Sequence, residues 1–347
     1  MTSSTDTRRL TLVVGAGRSG TSTVAGVLRR LGLHVPGPEV TTDPTNPKGF
    51  AEPQWVVDFH DDLLRQARVE VSDARPEAWV HAAAVGRDAE VADRLREWLA
   101  EQLTDADHLL VKDPRLLWFI PLWTTTAREL GVEPSFVTML RPPAEVVGSK
   151  RASYNRCLDD AHGVASWLNL MLGTERATRG ADRAFVRYHD LLDDWVATTD
   201  HLAANLGLVL DLDRARSTRE IDRFVDPGLR RVRLTWSDLD LPAAVAEQAR
   251  ETWTLLDRLA ESGSPADPGT VERLDLVHAA HAHGYRQAEA TVRSSLRAVR
   301  RESAQPAPDA PGVRESVRLL GAALTRRLRP VVTQQSAARP PRFTHAP

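Results

Sequence analysis

Cysteine is all but missing from this chain. Cys157 is the single one among 347 residues, so no internal disulfide framework can hold the fold, and the usage fits a reducing compartment. The first residues lack the apolar core of a signal peptide, and no run approaches the roughly 18 apolar residues of a membrane span. A cytoplasmic protein without a transmembrane segment is expected. Net charge is nearly absent too, at −2, which gives no reason to expect nucleic acid as a partner. Lysine is the scarcest cation: only Lys48, Lys112 and Lys150 among 45 basic residues. Arginine abundance follows a general Arg and Ala bias, so the three lysines are the more informative cations. No set of residues has metal-ligand spacing. His278, His281 and His283, at i, i+3 and i+5, make a poor triad on a helix with no Cys or acid beside them. They read as a solvated face, and no metal is expected.

What is present suffices for a core: 42% hydrophobic residues with nine tryptophans. The length suits one large α/β domain with helical additions. The organising stretch runs from Leu10 to Gly32. Leu10, Leu12, Val13 and Val14 form an apolar run of the kind buried in parallel sheets. A Gly/Ser-rich loop follows, and then Val24, Val27, Leu28 and Leu31 recur on one helical face. A strand turning through glycines into a helix N-terminus is an anion site, because backbone N–H groups and the helix dipole both favour negative charge there. The expected ligand is a phosphate or sulfate at Gly17, Arg18, Ser19, Gly20, Thr21 and Ser22.

That loop satisfies two spacings. Gly15, Gly17 and Gly20 form G-x-G-x-x-G with Glu39 19 residues after Gly20, a dinucleotide fingerprint. Prolines at 36 and 38 interrupt the strand that should carry Glu39. Gly15 to Ser22 also reads as G-x-x-x-x-G-x-[ST], but Thr21 stands where a phosphate-binding Walker lysine would be. The nearest cation is Arg18.

Further strands are expected at His108–Pro114, Ser135–Leu140 and from Ala184, each apolar and each followed by helical pattern. Alternation of this kind implies a parallel sheet flanked by helices. Ligands of such sheets sit beyond the carboxyl ends of the strands, which gathers Arg18, Lys112, Arg141 and Tyr188 at one edge. Residues 1–9 are expected to be disordered, 10–240 to form the α/β core, and 241–300 a helical extension. Residues 34–53 form a Pro-rich connection and 70–88 read as irregular. The Pro/Arg-rich 301–347 holds seven of 22 prolines and eight arginines against three acids. It reads as a disordered tail with one amphipathic helix near 313–328.

Arg18-Ser19-Gly20-Thr21-Ser22 resembles the 5′-phosphosulfate loop of sulfotransferases, enzymes that use 3′-phosphoadenylyl sulfate (PAPS) on a P-loop-like α/β fold. Arg141, followed by Pro142 and Pro143, lies eight residues before Ser149. An Arg fork and a hydroxyl two helical turns apart can grip one phosphate from two sides, and the pair resembles the family's 3′-phosphate motif. Lys112-Asp113-Pro114-Arg115 resembles the KDP segment of tyrosylprotein and carbohydrate sulfotransferases, whose lysine lies near the sulfuryl group. Arg187 to Leu192 is similar to R-Y-E-D-L, which implies Tyr188 beside the adenine, with His189 in place of the usual Glu. Val225 to Arg231 loosely resembles a late basic segment and implies Arg230 as a cofactor contact. Gly49-Phe50-Ala51-Glu52 resembles a G-[FY]-x-E element, which implies Glu52 as the base, with Arg18 and Lys112 supporting catalysis. His60, Glu39 and His108 are its rivals. The implied acceptor is a hydroxyl of a small molecule or glycan, with no metal. A nucleotide-binding phosphotransferase and an NAD- or FAD-dependent oxidoreductase are the alternatives.

Overall fold

A computed structural model describes residues 8–43, 46, 48–154, 159–211, 213, 219–226, 228, 232–262 and 267–304. Cys157, Arg230 and residues 305–347 of the tail expected at 301–347 lie outside the described residues, as does the amphipathic helix expected near 313–328.

Four parallel strands make the sheet: β1 (Arg9–Val14), β2 (His108–Lys112), β3 (Pro134–Leu140) and β4 (Arg183–Arg187), in the order β2-β1-β3-β4. The apolar runs are strands because both sheet faces are covered. Every residue of β3 is buried, as is all of β1 after Arg9. From β1 the chain crosses to β2 on one side, and from β3 to β4 on the other. The crevice between the carboxyl ends of β1 and β3 is therefore the topological switch point, where ligands of such sheets bind. Registers align Val14 with Thr138, which brings the loops after β1 and β3 side by side.

Helix α1 (Thr21–Arg30) buries Val24, Val27 and Leu28 on one sheet face. The other face is covered by α2 (Gln54–Ala67), α4 (Ala89–Asp105), α5 (Ile120–Glu129) and α7 (Asp160–Ala177), with a tryptophan-rich core of Trp98, Trp118, Trp123 and Trp167. Residues 70–88 are not irregular throughout: α3 (Ala78–Gly86) lies within them. Its sequence, AWVHAAAVG, has no polar face to reveal a period, since Val80 is 67% exposed and only Ala78 and Ala82 are buried.

Helix α6 (Pro143–Tyr154) follows β3, and α8 (Tyr188–Asp193) begins directly where β4 ends. After α9 (Trp195–Leu206) and α10 (Glu220–Phe224), α11 (Ala243–Ser262) packs Leu255, Leu256 and Leu259 into the tryptophan-rich core. The chain divides into compact units at 1–287 and 288–347, α12 (Pro268–Ala304) running through the division. Within the first unit His281 is buried and burial pushes it down to about 4, while His283 is exposed. The expected solvated histidine face is thus corrected: one of the three points into the core. Within the second unit, the helical residues carry exposed Val292, Leu296 and Val299. Among the described residues, no helix is long and apolar enough to cross a membrane.

Candidate functional site

A cleft of about 1060 Å³ opens at the carboxyl ends of β1, β2 and β3. The loop after β1 forms its floor and needs its glycines. Gly20 has φ +97°, and a Cβ there would sit 2.2 Å from Cδ2 of Tyr188. Gly15 has φ +139°, and its Cβ would lie 2.9 Å from the Met139 carbonyl. A Cβ on Gly17 would meet open space, so that backbone faces the cleft. Arg18 adopts φ +75°, an uncommon conformation for a non-glycine residue.

The start of α1 lacks the aspartate cap that α4, α7 and α9 carry. Asp88 caps α4, Asp159 caps α7 and Asp194 caps α9. Helix α1 starts at Gly20 with no capping side chain and no acid in its first turn. A helix start without a side-chain cap, with its dipole, favours negative charge. The Ser19 hydroxyl is buried there, and among the described residues it has no hydrogen-bond partner.

Residues remote in sequence meet above this loop. Arg18 Nε donates to Ser149 Oγ at 3.2 Å, and Arg141 Nη1 donates to the Arg18 carbonyl at 3.0 Å. The Arg141 guanidinium lies 4.7 Å over the Tyr188 ring. Sequence reasoning missed Glu145. This buried carboxylate accepts from Arg141 Nε at 3.0 Å and contacts His189 Nε2 at 3.1 Å. It fixes the guanidinium plane and offsets part of its charge. Its position four residues after Arg141 was a readable signal for such a pair.

On the other side of the loop, Lys112 ends β2 and is almost fully buried. Its ammonium pairs with Glu52 and donates to Ser22 Oγ at 2.8 Å and the Phe50 carbonyl at 3.3 Å. Burial pushes the Glu52 carboxyl above the usual range, and the Lys112 cation opposes that shift. Glu52, Lys112, Ser22, Arg18, Arg141, Ser149 and Tyr188 thus share one cleft.

The rivals of Glu52 stand elsewhere. Trp123 Nε1 can only donate, so His60 Nε2 accepts its bond at 2.9 Å. Nδ1 then carries the proton and donates to Asp113 at 2.6 Å. With both nitrogens occupied and no exposure, His60 has no lone pair for a substrate proton. Burial would raise the Asp113 carboxyl, but bonds from His60 and Arg115 hold it below the usual range. His108 begins β2 at the opposite sheet edge, against Thr11 Oγ1, and burial beside Arg9 pushes it down to about 4. Glu39 bridges to Pro53 and pairs with Arg29 at 2.7 Å, so it ends no sheet strand, as the dinucleotide fingerprint requires.

Comparison with known proteins identifies a family. A model of the sulfotransferase family matches residues 11–211. The chain belongs to the sulfotransferase family. Among curated proteins none matches it. Among solved structures, the sulfotransferase domain of the Synechococcus PCC 7002 olefin synthase is 19% identical with a TM-score of 0.41, covering 72% of this chain and 95% of its own. The sulfotransferase domain from the curacin biosynthetic pathway is 12% identical with a TM-score of 0.41, over 72% and 98%. A sulfotransferase from Mycobacterium tuberculosis is 17% identical with a TM-score of 0.38, over 71% and 76%.

Proposed function

We propose that this sulfotransferase takes its sulfuryl group from PAPS and delivers it to a hydroxyl of a small-molecule or glycan acceptor, with Glu52 as the base. One observation carries the reading: the uncapped start of α1 lies under a joined cluster of Arg18, Arg141 and Ser149. Two anionic groups of one donor can be held there, one by the loop amides and one by the Arg141–Ser149 side. PAPS has that pattern, with a 5′-phosphosulfate and a 3′-phosphate. ATP–Mg and NAD lack the 3′-phosphate.

PAPS, when bound, supplies an activated sulfuryl group with a phosphate leaving group. Arg18, Lys112 and the loop amides are positioned to stabilise negative charge on the sulfonate and leaving oxygens. Glu52 is assigned the acceptor proton, because burial makes its carboxyl more basic while the Lys112 cation favours its charged form. Tyr188 and, from resemblance alone, Arg230 are assigned to the nucleotide.

Thermal shift with adenosine 3′,5′-bisphosphate, ATP–Mg and NAD(H) tests the reading. A ligand at 100 times its Kd stabilises by about 2.7 kcal/mol. Stabilisation by the bisphosphate is expected. Stabilisation by ATP–Mg or NAD(H) and not by the bisphosphate would favour the phosphotransferase or oxidoreductase reading.

A further inference from the structure

Most cations lining the cleft are spent on the protein's own groups. Lys112 pairs with Glu52, Arg115 with Asp113 and Asp61, Arg65 with Asp62, and Arg151 with Asp160. Lys48 donates to the Phe224 carbonyl at 2.6 Å. Lys150 differs. It stands on α6 directly after Ser149, half-buried in the cleft wall, and its Nζ donates to Ser72 Oγ at 2.9 Å. Among the described residues no carboxylate forms an ion pair with it, although Glu70 and Asp159 also line the cleft. Burial alone pushes Lys150 down to about 8. The cleft lining includes the apolar Leu64, Val69, Val71 and Pro114 beside its charged residues, and Val71 adjoins Ser72 in the chain.

An ammonium withdrawn from water beside such a wall is costly unless an anion answers it. Ser72 adds to the argument. Its oxygen accepts from Lys150, so its own O–H remains a donor. Two donors close together, with the apolar Val69 and Val71 near Ser72 in the chain and in the same cleft lining, fit an anionic group attached to an apolar body.

We propose that Lys150 and Ser72 form an acceptor subsite for a carboxylate or phosphate monoester, so that the acceptor is an anionic hydroxyl compound whose apolar part lies against Val69 and Val71. The proposal rests on the sulfotransferase reading and adds the acceptor's charge class to it. It requires no new covalent step: the subsite orients the acceptor and takes no proton.

The test offers PAPS with matched hydroxyl compounds on aryl, alkyl and glycosyl skeletons, each as the free acid, the amide and the phosphate monoester. Sulfated product is measured by mass spectrometry. The acid or the phosphate arm is expected to exceed the amide by about tenfold or more in kcat/KM, and the arm that does so names the anion. Lys150→Gln should abolish that preference through KM with kcat nearly unchanged, and Lys150→Arg should restore much of it. Affinity for adenosine 3′,5′-bisphosphate should be the same in all three proteins. Equal use of amide and acid, a preference that survives in Lys150→Gln, or no turnover of any acid or phosphate by protein that binds the bisphosphate would each overturn the subsite. Wild-type protein that binds no bisphosphate would fail at the donor reading, and the subsite would fall with it.

Discussion

The floor and the wall of the cleft each hold a lysine withdrawn from water, and the two are treated differently. On the floor, Lys112 is clamped among Glu52, Ser22 and a carbonyl. On the wall, Lys150 meets a neutral hydroxyl, and among the described residues no carboxylate pairs with it. A charge matched inside the protein contributes to a pre-built arrangement and is lost with it. A charge left unmatched costs stability in the free protein and returns it when a ligand supplies the counter-charge. The contrast separates groups arranged around the donor from a group held ready for something that arrives later.

The sharpest way to break the contrast is to remove the floor's carboxylate. Glu52→Gln keeps shape and hydrogen bonding but removes basicity. Turnover should fall on the order of 10²–10⁴-fold while bisphosphate binding survives, the usual worth of a positioned base. Because burial lifts the Glu52 carboxyl above the ordinary range, wild-type turnover should decline as pH falls through that raised value. A fully active Glu52→Gln enzyme would remove Glu52 from the chemistry, and His60, locked between Asp113 and Trp123, would not be its replacement.

Lys112→Met tests the match itself. It leaves Glu52 buried without its cation, a change that costs about 3–5 kcal/mol. Urea denaturation should show the loss, and the double variant with Glu52→Leu should recover much of it. Unchanged stability in Lys112→Met would mean that the floor pair is no more matched than the wall lysine.

Arg141→Ala asks whether the donor side depends on one cation. A charge-assisted contact to the 3′-phosphate would go, weakening bisphosphate binding by about 1.5–3 kcal/mol in calorimetry. Unchanged affinity in folded protein would assign the clamp elsewhere.

These tests divide between what the sequence carried and what it hid. The strand–glycine–helix passage, the strand ends and the Arg141–Ser149 spacing were legible because they depend on local pattern and on a topological rule. Helix α3 was hidden because its apolar residues do not segregate to one side. His60 looked like a rival base because nothing local betrays that Asp113 and Trp123, far along the chain, occupy both its nitrogens. Lys150 was flagged only by scarcity. That it meets the Ser72 hydroxyl and, among the described residues, no carboxylate depends on a contact 78 residues apart in sequence, which no spacing encodes.

The smallest effect expected is also the one with the least usual sign. Lys150 titrates at about 8 in the folded protein against an ordinary value of 10.5. Below pH 8 the ammonium is charged in both folded and unfolded chains, so the folded protein bears the full cost of withdrawing it. Between about pH 8 and 10.5 the unfolded chain binds the additional proton, and wild-type stability rises with pH relative to a variant lacking the lysine. Lys150→Met should therefore be more stable than wild type at pH 7, by about 1 kcal/mol once solvent screening of a half-buried group is allowed for. The gain should shrink by pH 9.5. Paired melting curves at the two pH values measure it directly. If Lys150→Met is instead destabilised at pH 7, the wall lysine has its counter-charge within the protein, and the difference between floor and wall disappears.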